Sequence, residues 1–338
     1  MVRPLLFTPT SPAAGGSAGP ASGPAEQHAA PSRGPLIVVM NTHSGSGDRH
    51  RTLATLAGVF GEAGVRHEVM QVTRPKQLRT VAANAVALAA REGGTVVAAG
   101  GDGTINTVAH AVLDTELPFG VLPHGTFNYF SRTHGIPTDV EGAARTLVTG
   151  TPRPVQVGRL NERLFLVNAS LGLYPRLLEE REAYKRRYGR TRWVALCSGL
   201  LTLLREHWQV LLRVEHEGEP RLLKTSTLFV GNNALQLAQI GIDDAPVVAQ
   251  GQLVALSVKT GGRWAMLGLL LRGAVGRLGS ADQVASFAFR HLEVEPVLRR
   301  ARPVKMKVSV DGETQWMSTP LVFGVEPKPL WLIVPPAA

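Results

Sequence analysis

Between residues 36 and 122 the chain repeats one pattern: a short apolar run, a turn, then a helical stripe. No other feature restricts its fold so strongly. Leu36–Met40, Thr95–Ala99 and Phe119–Leu122 are continuous apolar runs, as expected of strands covered on both faces. Residues 65–72 alternate like a strand. Between them, Leu53, Leu56, Ala57 and Phe60 share one helical face. A second stripe, Leu78, Val81, Ala82, Ala85 and Ala89, follows Pro75 in a helical first turn. A third contains Ile105, Val108, Ala109, Val112 and Leu113. Strand and helix in turn, joined by short connections, predict an α/β unit with a parallel sheet between helices.

Past about residue 154 the pattern changes. Val155–Leu160 and Leu164–Ala169 read as two strands around Asn161 and Glu162. Val210–His216 and Leu222–Val230 read as a hairpin around Glu217, Gly218 and Glu219, with further strand-like runs at 253–258, 285–294 and 304–310. Helices are expected at 176–206 and 263–278. The partition is therefore a disordered tail at 1–34, rich in Pro, Ala, Gly and Ser, an α/β unit at 35–153, and a mainly antiparallel β-rich unit, a sandwich, at 154–320.

Composition narrows the class. The 338 residues carry 36 basic against 26 acidic side chains, a net charge of +10, which favours a polyanionic partner. Nucleic acid is the least favoured of these, because the basic clusters lack interleaved aromatics. The single cysteine, Cys197, excludes an internal disulfide and fits a reducing cytoplasm. Leu5-Leu6-Phe7 is too short for the core of a signal peptide, and the longest apolar stretch, Trp193–Leu204, is too short to span a bilayer. The histidines form no H-E-x-x-H or Cys/His metal pattern.

Three predicted strand ends run into small-residue turns: Asn41–Gly47, Gly100–Thr104 and Pro123–Asn128. In a parallel sheet they share the carboxyl edge, where such folds bind ligands. Glycine lets the backbone approach closely, and the N–H groups of the turn and the following helix start favour phosphate. Thr104 and Thr126 add hydroxyls. No G-x-x-x-x-G-K-[ST] loop is present. Asp102 sits among these glycines. An acid there weakens phosphate binding unless it takes a proton or helps to hold Mg²⁺, or unless it caps the helix after it.

Gly100-Gly101-Asp102-Gly103-Thr104 followed by Pro123-x-Gly125-Thr126-x-Asn128-x-x-x-Arg132 resembles the catalytic domain of diacylglycerol kinases, a family that includes sphingosine, ceramide and bacterial lipid kinases. Asn41, Ser44 and Gly45 resemble its first loop, with Thr42 in place of proline. Asn168–Gly172, Gly231-Asn232-Asn233 and Asp311-Gly312-Glu313 resemble its later elements. The resemblance runs from about 36 to 335. It implies a nucleotide-binding α/β domain joined to a β-rich lipid domain, with Leu321–Val334 returning to the first.

It also implies Mg²⁺-assisted transfer of phosphate from ATP to a lipid hydroxyl, most readily that of diacylglycerol. Asn41, Ser44, Gly45, Gly100, Gly101, Gly103, Thr104, Pro123, Gly125, Thr126 and Asn128 would lie at the nucleotide. Asp102 and Glu313 would be the catalytic carboxylates, Asp102 also as the magnesium ligand. Glu313 is favoured as the base, though the two roles are exchangeable. The Asp311-Gly312 pair also fits a two-residue hairpin turn between Val304–Val310 and Thr314–Met317.

One departure stands out: Gln250-Gly251-Gln252-Leu253 replaces the family's Asp-Gly-x-Leu, and an amide is a weak ligand for a hard cation. Asp243 and Asp244 lie nearby in sequence at another spacing. Ser131 for alanine before Arg132 is a minor change.

The acceptor that the resemblance implies is a membrane lipid. The basic residues of 176–192, with Arg299, Arg300, Arg302, Lys305 and Lys307, therefore predict peripheral attachment to an anionic surface, weakened by salt. The expected location is cytoplasmic, with visits to the inner face of the membrane. A NAD kinase-like enzyme and a nucleotide- or lipid-binding protein without turnover are the competing readings. These residues set no oligomeric state.

Overall fold

The computed structural model describes residues 34–42, 49–125, 127–172, 175, 209–216, 218–259, 268, 272, 283–297 and 304–336. The expectations for the tail at 1–33, for Ser44, Gly45, Thr126, Cys197, Arg299, Arg300 and Arg302, for the helix at 176–206 and for nearly all of that at 263–278 lie outside the described residues.

Among the described residues the strands form three six-stranded sheets. The first contains β1 (Leu36–Asn41), β2 (His67–Val72), β3 (Thr95–Gly100), β4 (Phe119–Pro123), β5 (Thr151–Val155) and β18 (Leu330–Val334), in the order β2-β1-β3-β4-β18-β5. All its pairs are parallel except β18 with β5. Pro152 and Pro154 suit β5 to the sheet edge, where a missing N–H costs no ladder bond. Helix α1 (Arg49–Glu62) packs with α5 (Val140–Thr149), and α2 (Leu78–Glu92) with α3 (Asp102–Val112). The buried members of the predicted stripes, among them Leu56, Phe60, Ala82, Ala85, Ala89, Ile105 and Val108, share one core with β1, β3 and β4.

The other two sheets are antiparallel throughout. One orders β10 (Glu219–Thr225), β9 (Val210–His216), β14 (His291–Pro296), β17 (Leu321–Val325), β6 (Gly158–Leu160) and β7 (Arg163–Phe165). The other orders β13 (Val284–Phe289), β12 (Leu253–Val258), β11 (Thr227–Gly231), β8 (Asn168–Gly172), β15 (Lys305–Val310) and β16 (Glu313–Ser318). A single buried cluster draws Leu212, Val294 and Phe323 from the first of these and Leu171, Val230 and Val308 from the second.

Several runs that read as single strands are divided. Val155–Leu160 splits between the first and second sheets, and Leu164–Ala169 between the second and third. Leu222–Val230 changes sheet at Ser226, and 285–294 at Arg290. At each crossing only one or two residues separate runs that both read as strand, so periodicity shows no break. The expected return to the first sheet is likewise divided. Leu330–Val334 enters between β4 and β5, whereas Leu321–Val325 pairs with β14 and β6.

Candidate active site

Because β1, β3 and β4 run parallel, their carboxyl ends lie side by side, with Gly100 opposite Pro123. The turns leaving them touch. Asn41 Nδ2 donates to Thr104 Oγ1 at 2.9 Å, tying the end of β1 to the first turn of α3. A methyl group on Gly100 would lie 2.6 Å from Thr104 Cβ, and one on Gly125 would lie 3.2 Å from Gly101 Cα. The second and third turns thus meet backbone against backbone, which a side chain would prevent.

The third turn is closed by its own residues. Asn128 adopts φ +48 and is buried. Its Oδ1 accepts from the Gly125 N–H and its Nδ2 donates to the Gly125 carbonyl, both at 2.9 Å. The side chain of Asn128 therefore shapes the loop, and both it and the Gly125 N–H are already engaged. Asn128's backbone N–H points the other way, to the Asp102 carboxylate.

Asp102 is the first residue of α3. Gly101 occupies the N-cap without a side-chain cap bond, so Asp102 is not the capping residue. Burial pushes its carboxyl above the ordinary aspartate range, against the lowering effect of the Asn128 N–H. Its Oδ1 is buried without a hydrogen-bond partner. An acceptor left bare in this way costs free energy unless a ligand or cation completes it.

Glu313 arrives from the far end of the chain. Asp311 and Gly312, at φ +44 and +86, make the tight turn between β15 and β16, and Glu313 opens β16. A methyl group on Gly103 would lie 3.3 Å from Glu313 Oε1. The structure therefore brings Glu313 to the start of α3, against Gly103, where the helix dipole favours negative charge.

Asp311, which the motif marks only as part of a turn, is bonded on both carboxylate oxygens. Its Oδ1 accepts from the backbone N–H groups of Val167 and Asn168, each at 2.9 Å. Its Oδ2 accepts from the Leu166 N–H at 2.8 Å and from Asn106 Nδ2 at 2.7 Å. Burial drives its carboxyl up to about 6 against these four donors. The aspartate–glycine pair signals a turn, but nothing in sequence signals the partners.

Other elements serve elsewhere. Asn233 caps α6 (Ala234–Gln239) and bonds to Tyr129 and Thr133 in and at the end of α4 (Tyr129–Thr133). Asn232 bonds to Gln156 and the Leu166 carbonyl. Asn168 Nδ2 donates to Gln236. Asn233 thus ties α6 to α4, whereas the bonds of Asn232 and Asn168 stay within 154–320. An open groove of about 840 Å³ beside them, lined in part by Arg153, Gln156, Asn232 and Pro335, does not include Asp102 or Glu313.

At the 250–253 turn, Arg290 Nη2 donates to the Gln250 carbonyl at 3.3 Å. A neutral amide at 250, with a guanidinium on its backbone carbonyl, does not fit a structural magnesium ion. Among the described residues, no three His, Cys, Asp or Glu side chains gather as metal ligands, Asp243 and Asp244 included.

Residues 35–160 match the diacylglycerol kinase catalytic domain. This segment holds all three glycine turns and Asp102, and it excludes Glu313. A diacylglycerol kinase of Bacillus subtilis is 38% identical over 132 residues, 38% of this chain and 43% of that protein. A diacylglycerol kinase of Staphylococcus aureus is 38% identical over 79 residues, 23% of this chain and 25% of that protein. The match thus spans less than half the length of each relative. A solved diacylglycerol kinase structure from Bacillus anthracis shares the fold over 89% of this chain and 97% of that one, with a TM-score of 0.64 at 17% identity.

Proposed function

We propose that this chain is an ATP-dependent lipid kinase that phosphorylates the hydroxyl of a lipid alcohol, with diacylglycerol the first candidate. One observation carries the reading: Glu313 Oε1 lies against Gly103, next to Asp102, at the edge where the glycine turns gather. In this reading Glu313 accepts the acceptor's hydroxyl proton as its oxygen bonds to the γ-phosphorus. The bond to the bridging oxygen breaks, and ADP leaves with the electron pair. The backbone N–H groups at the start of α3 face the triphosphate. Glu313, the more exposed carboxylate, meets the acceptor, while Asp102 Oδ1 turns to the nucleotide.

Magnesium would be held by Asp102 together with the phosphates, the usual arrangement of one or two carboxylates plus substrate oxygens. Bound there, it would neutralise phosphate charge. Asn41 and Thr104 hold each other at the loop edge, within the proposed nucleotide site.

We read the two sheets that share a core as the lipid-binding β-sandwich of 154–320, set against a nucleotide-binding unit at 35–153. Contact with an anionic membrane is supported by β15 and β16. Trp316 is 63% exposed there, Lys307 Nζ lies 5.2 Å from its ring centroid, and Lys305 is exposed. A tryptophan beside lysines suits a bilayer interface. No helix among the described residues is long and apolar enough to cross a membrane.

Labelled ATP offered with lipid alcohols in mixed micelles, and separately with a soluble dinucleotide, tests the proposal. Labelled diacylglycerol is expected. Label on the dinucleotide alone would replace this reading with a NAD kinase-like one, and no label on any acceptor would leave a binding protein.

A further inference from the structure

We propose that Asp311 is a positioning residue that, through Asn106, fixes Glu313 over the start of α3. The inference rests on Glu313 being the proton acceptor and assigns a role to a neighbour that makes no contact with substrate.

The geometry is specific. Asp311 sits two residues before Glu313, on a turn too tight to absorb a shift between them. Its carboxylate gathers three consecutive backbone N–H groups, those of Leu166, Val167 and Asn168, at the crossing from β7 to β8. Asp311's own N–H donates to the Asn168 carbonyl at 2.8 Å, so the turn is held from both sides. The fourth donor, Asn106 Nδ2, belongs to α3 and also donates to the Leu164 carbonyl at 3.1 Å. Asn106 lies one helical turn beyond Asp102 and Gly103, on the same face of α3. The face that receives Glu313 is thus bonded to the turn that delivers it.

These bonds reach an ionised acceptor, and hydrogen bonds of that kind are shorter and stronger than neutral ones. Hairpin stability alone does not require them: Asp-Gly forms such turns with its side chain in water. The carboxylate is instead spent on binding the hairpin to the crossing and to α3. A displacement of about 1 Å at a reacting group is enough to cost about 100-fold in rate, so this docking sets how well Glu313 can act.

The test is a double-mutant cycle between Asp311→Asn and Glu313→Gln, read as kcat and KM for ATP in the micelle assay, with melting temperature followed in parallel. An amide at 311 turns an NH₂ toward groups that are themselves donors. The expected result is a fall in kcat of about 10- to 100-fold with KM for ATP unchanged, since the nucleotide turns are not displaced. In the Glu313→Gln background, Asp311→Asn should cost nothing further. Asn106→Ala, which removes one of the four donors, should lower kcat less, again only when Glu313 is present. It also serves if Asp311→Asn fails to fold. Equal losses with and without Glu313, or losses that track the melting temperature, would overturn the latch. A strong Glu313→Gln effect beside a fully active Asp311→Asn would overturn it alone. Full activity of Glu313→Gln would instead remove Glu313's assigned role.

Discussion

Asp102 and Glu313 end beside one helix terminus, but the chain secures them differently. Asp102 follows directly from β3, and its surroundings are backbone: glycines in contact and one N–H from Asn128. Glu313 comes from a hairpin in another sheet and is held by side-chain bonds from Asp311. The first arrangement depends on the absence of Cβ atoms, the second on the presence of a particular carboxylate. Damage to the first should therefore come from added bulk, and damage to the second from lost charge.

The largest test strikes both sides at once. Asp102→Asn and Glu313→Gln should each lower kcat by about 10²- to 10⁴-fold in the micelle assay, the range typical of a lost proton-transfer group. Full retention of activity by either would remove that half of the comparison.

Acid titration sharpens the boundary between the halves, where His134 ends α4 against Phe130 at 5.0 Å. Burial holds this imidazole down at about 4 from 6.5. A depressed histidine contributes stability that is whole above pH 6.5 and is lost as the pH falls toward 4. The loss amounts to about 3 kcal/mol. In His134→Gln this part of the pH dependence should vanish from denaturant curves recorded across that window. An unchanged slope would show that the junction does not bury a neutral imidazole.

Bulk is tested at Gly100. Alanine there meets Thr104 Cβ at 2.6 Å, and overpacking of this kind costs about 1–3 kcal/mol. The unfolding midpoint should fall, and KM for ATP should rise as α3 shifts. A silent Gly100→Ala would mean that the first half does not depend on empty space.

The smallest effect is expected at the hairpin surface. Lys305→Glu should weaken binding to anionic vesicles by about 1 kcal/mol per charge removed, hence more for a reversal. The difference should fade at high salt, and activity in neutral micelles should persist. Vesicle binding equal to wild type would detach the hairpin from the membrane reading.

The same contrast explains what the residues disclosed. The parallel sheet could be read because each strand covered on both faces leaves an apolar run, and each helix a stripe. The glycine turns could be read because close backbone approach excludes other residues. The sheet changes at Ser226 and Arg290 left no trace, since a single residue separates two strand-like runs at each. Asp311 was visible only as part of a turn. Its donors come from Leu166, Val167, Asn168 and Asn106, and no local spacing encodes that meeting. Asn128 illustrates the opposite error of emphasis. The motif marks it as a ligand contact, yet its amide is occupied in closing its own loop.

The position of β18 has a consequence for how the molecule comes into being. This strand lies between β4 and β5, although it is drawn from the last residues described. During synthesis the parallel sheet therefore waits with a gap before its edge strand until the strands of the β-rich unit have left the ribosome. A fragment cut at residue 160 would expose one side of β4 and leave β5 with no neighbour. The segment that matches the catalytic domain thus lacks a strand of its own sheet, and that sheet is completed only after every strand of the β-rich half has been made.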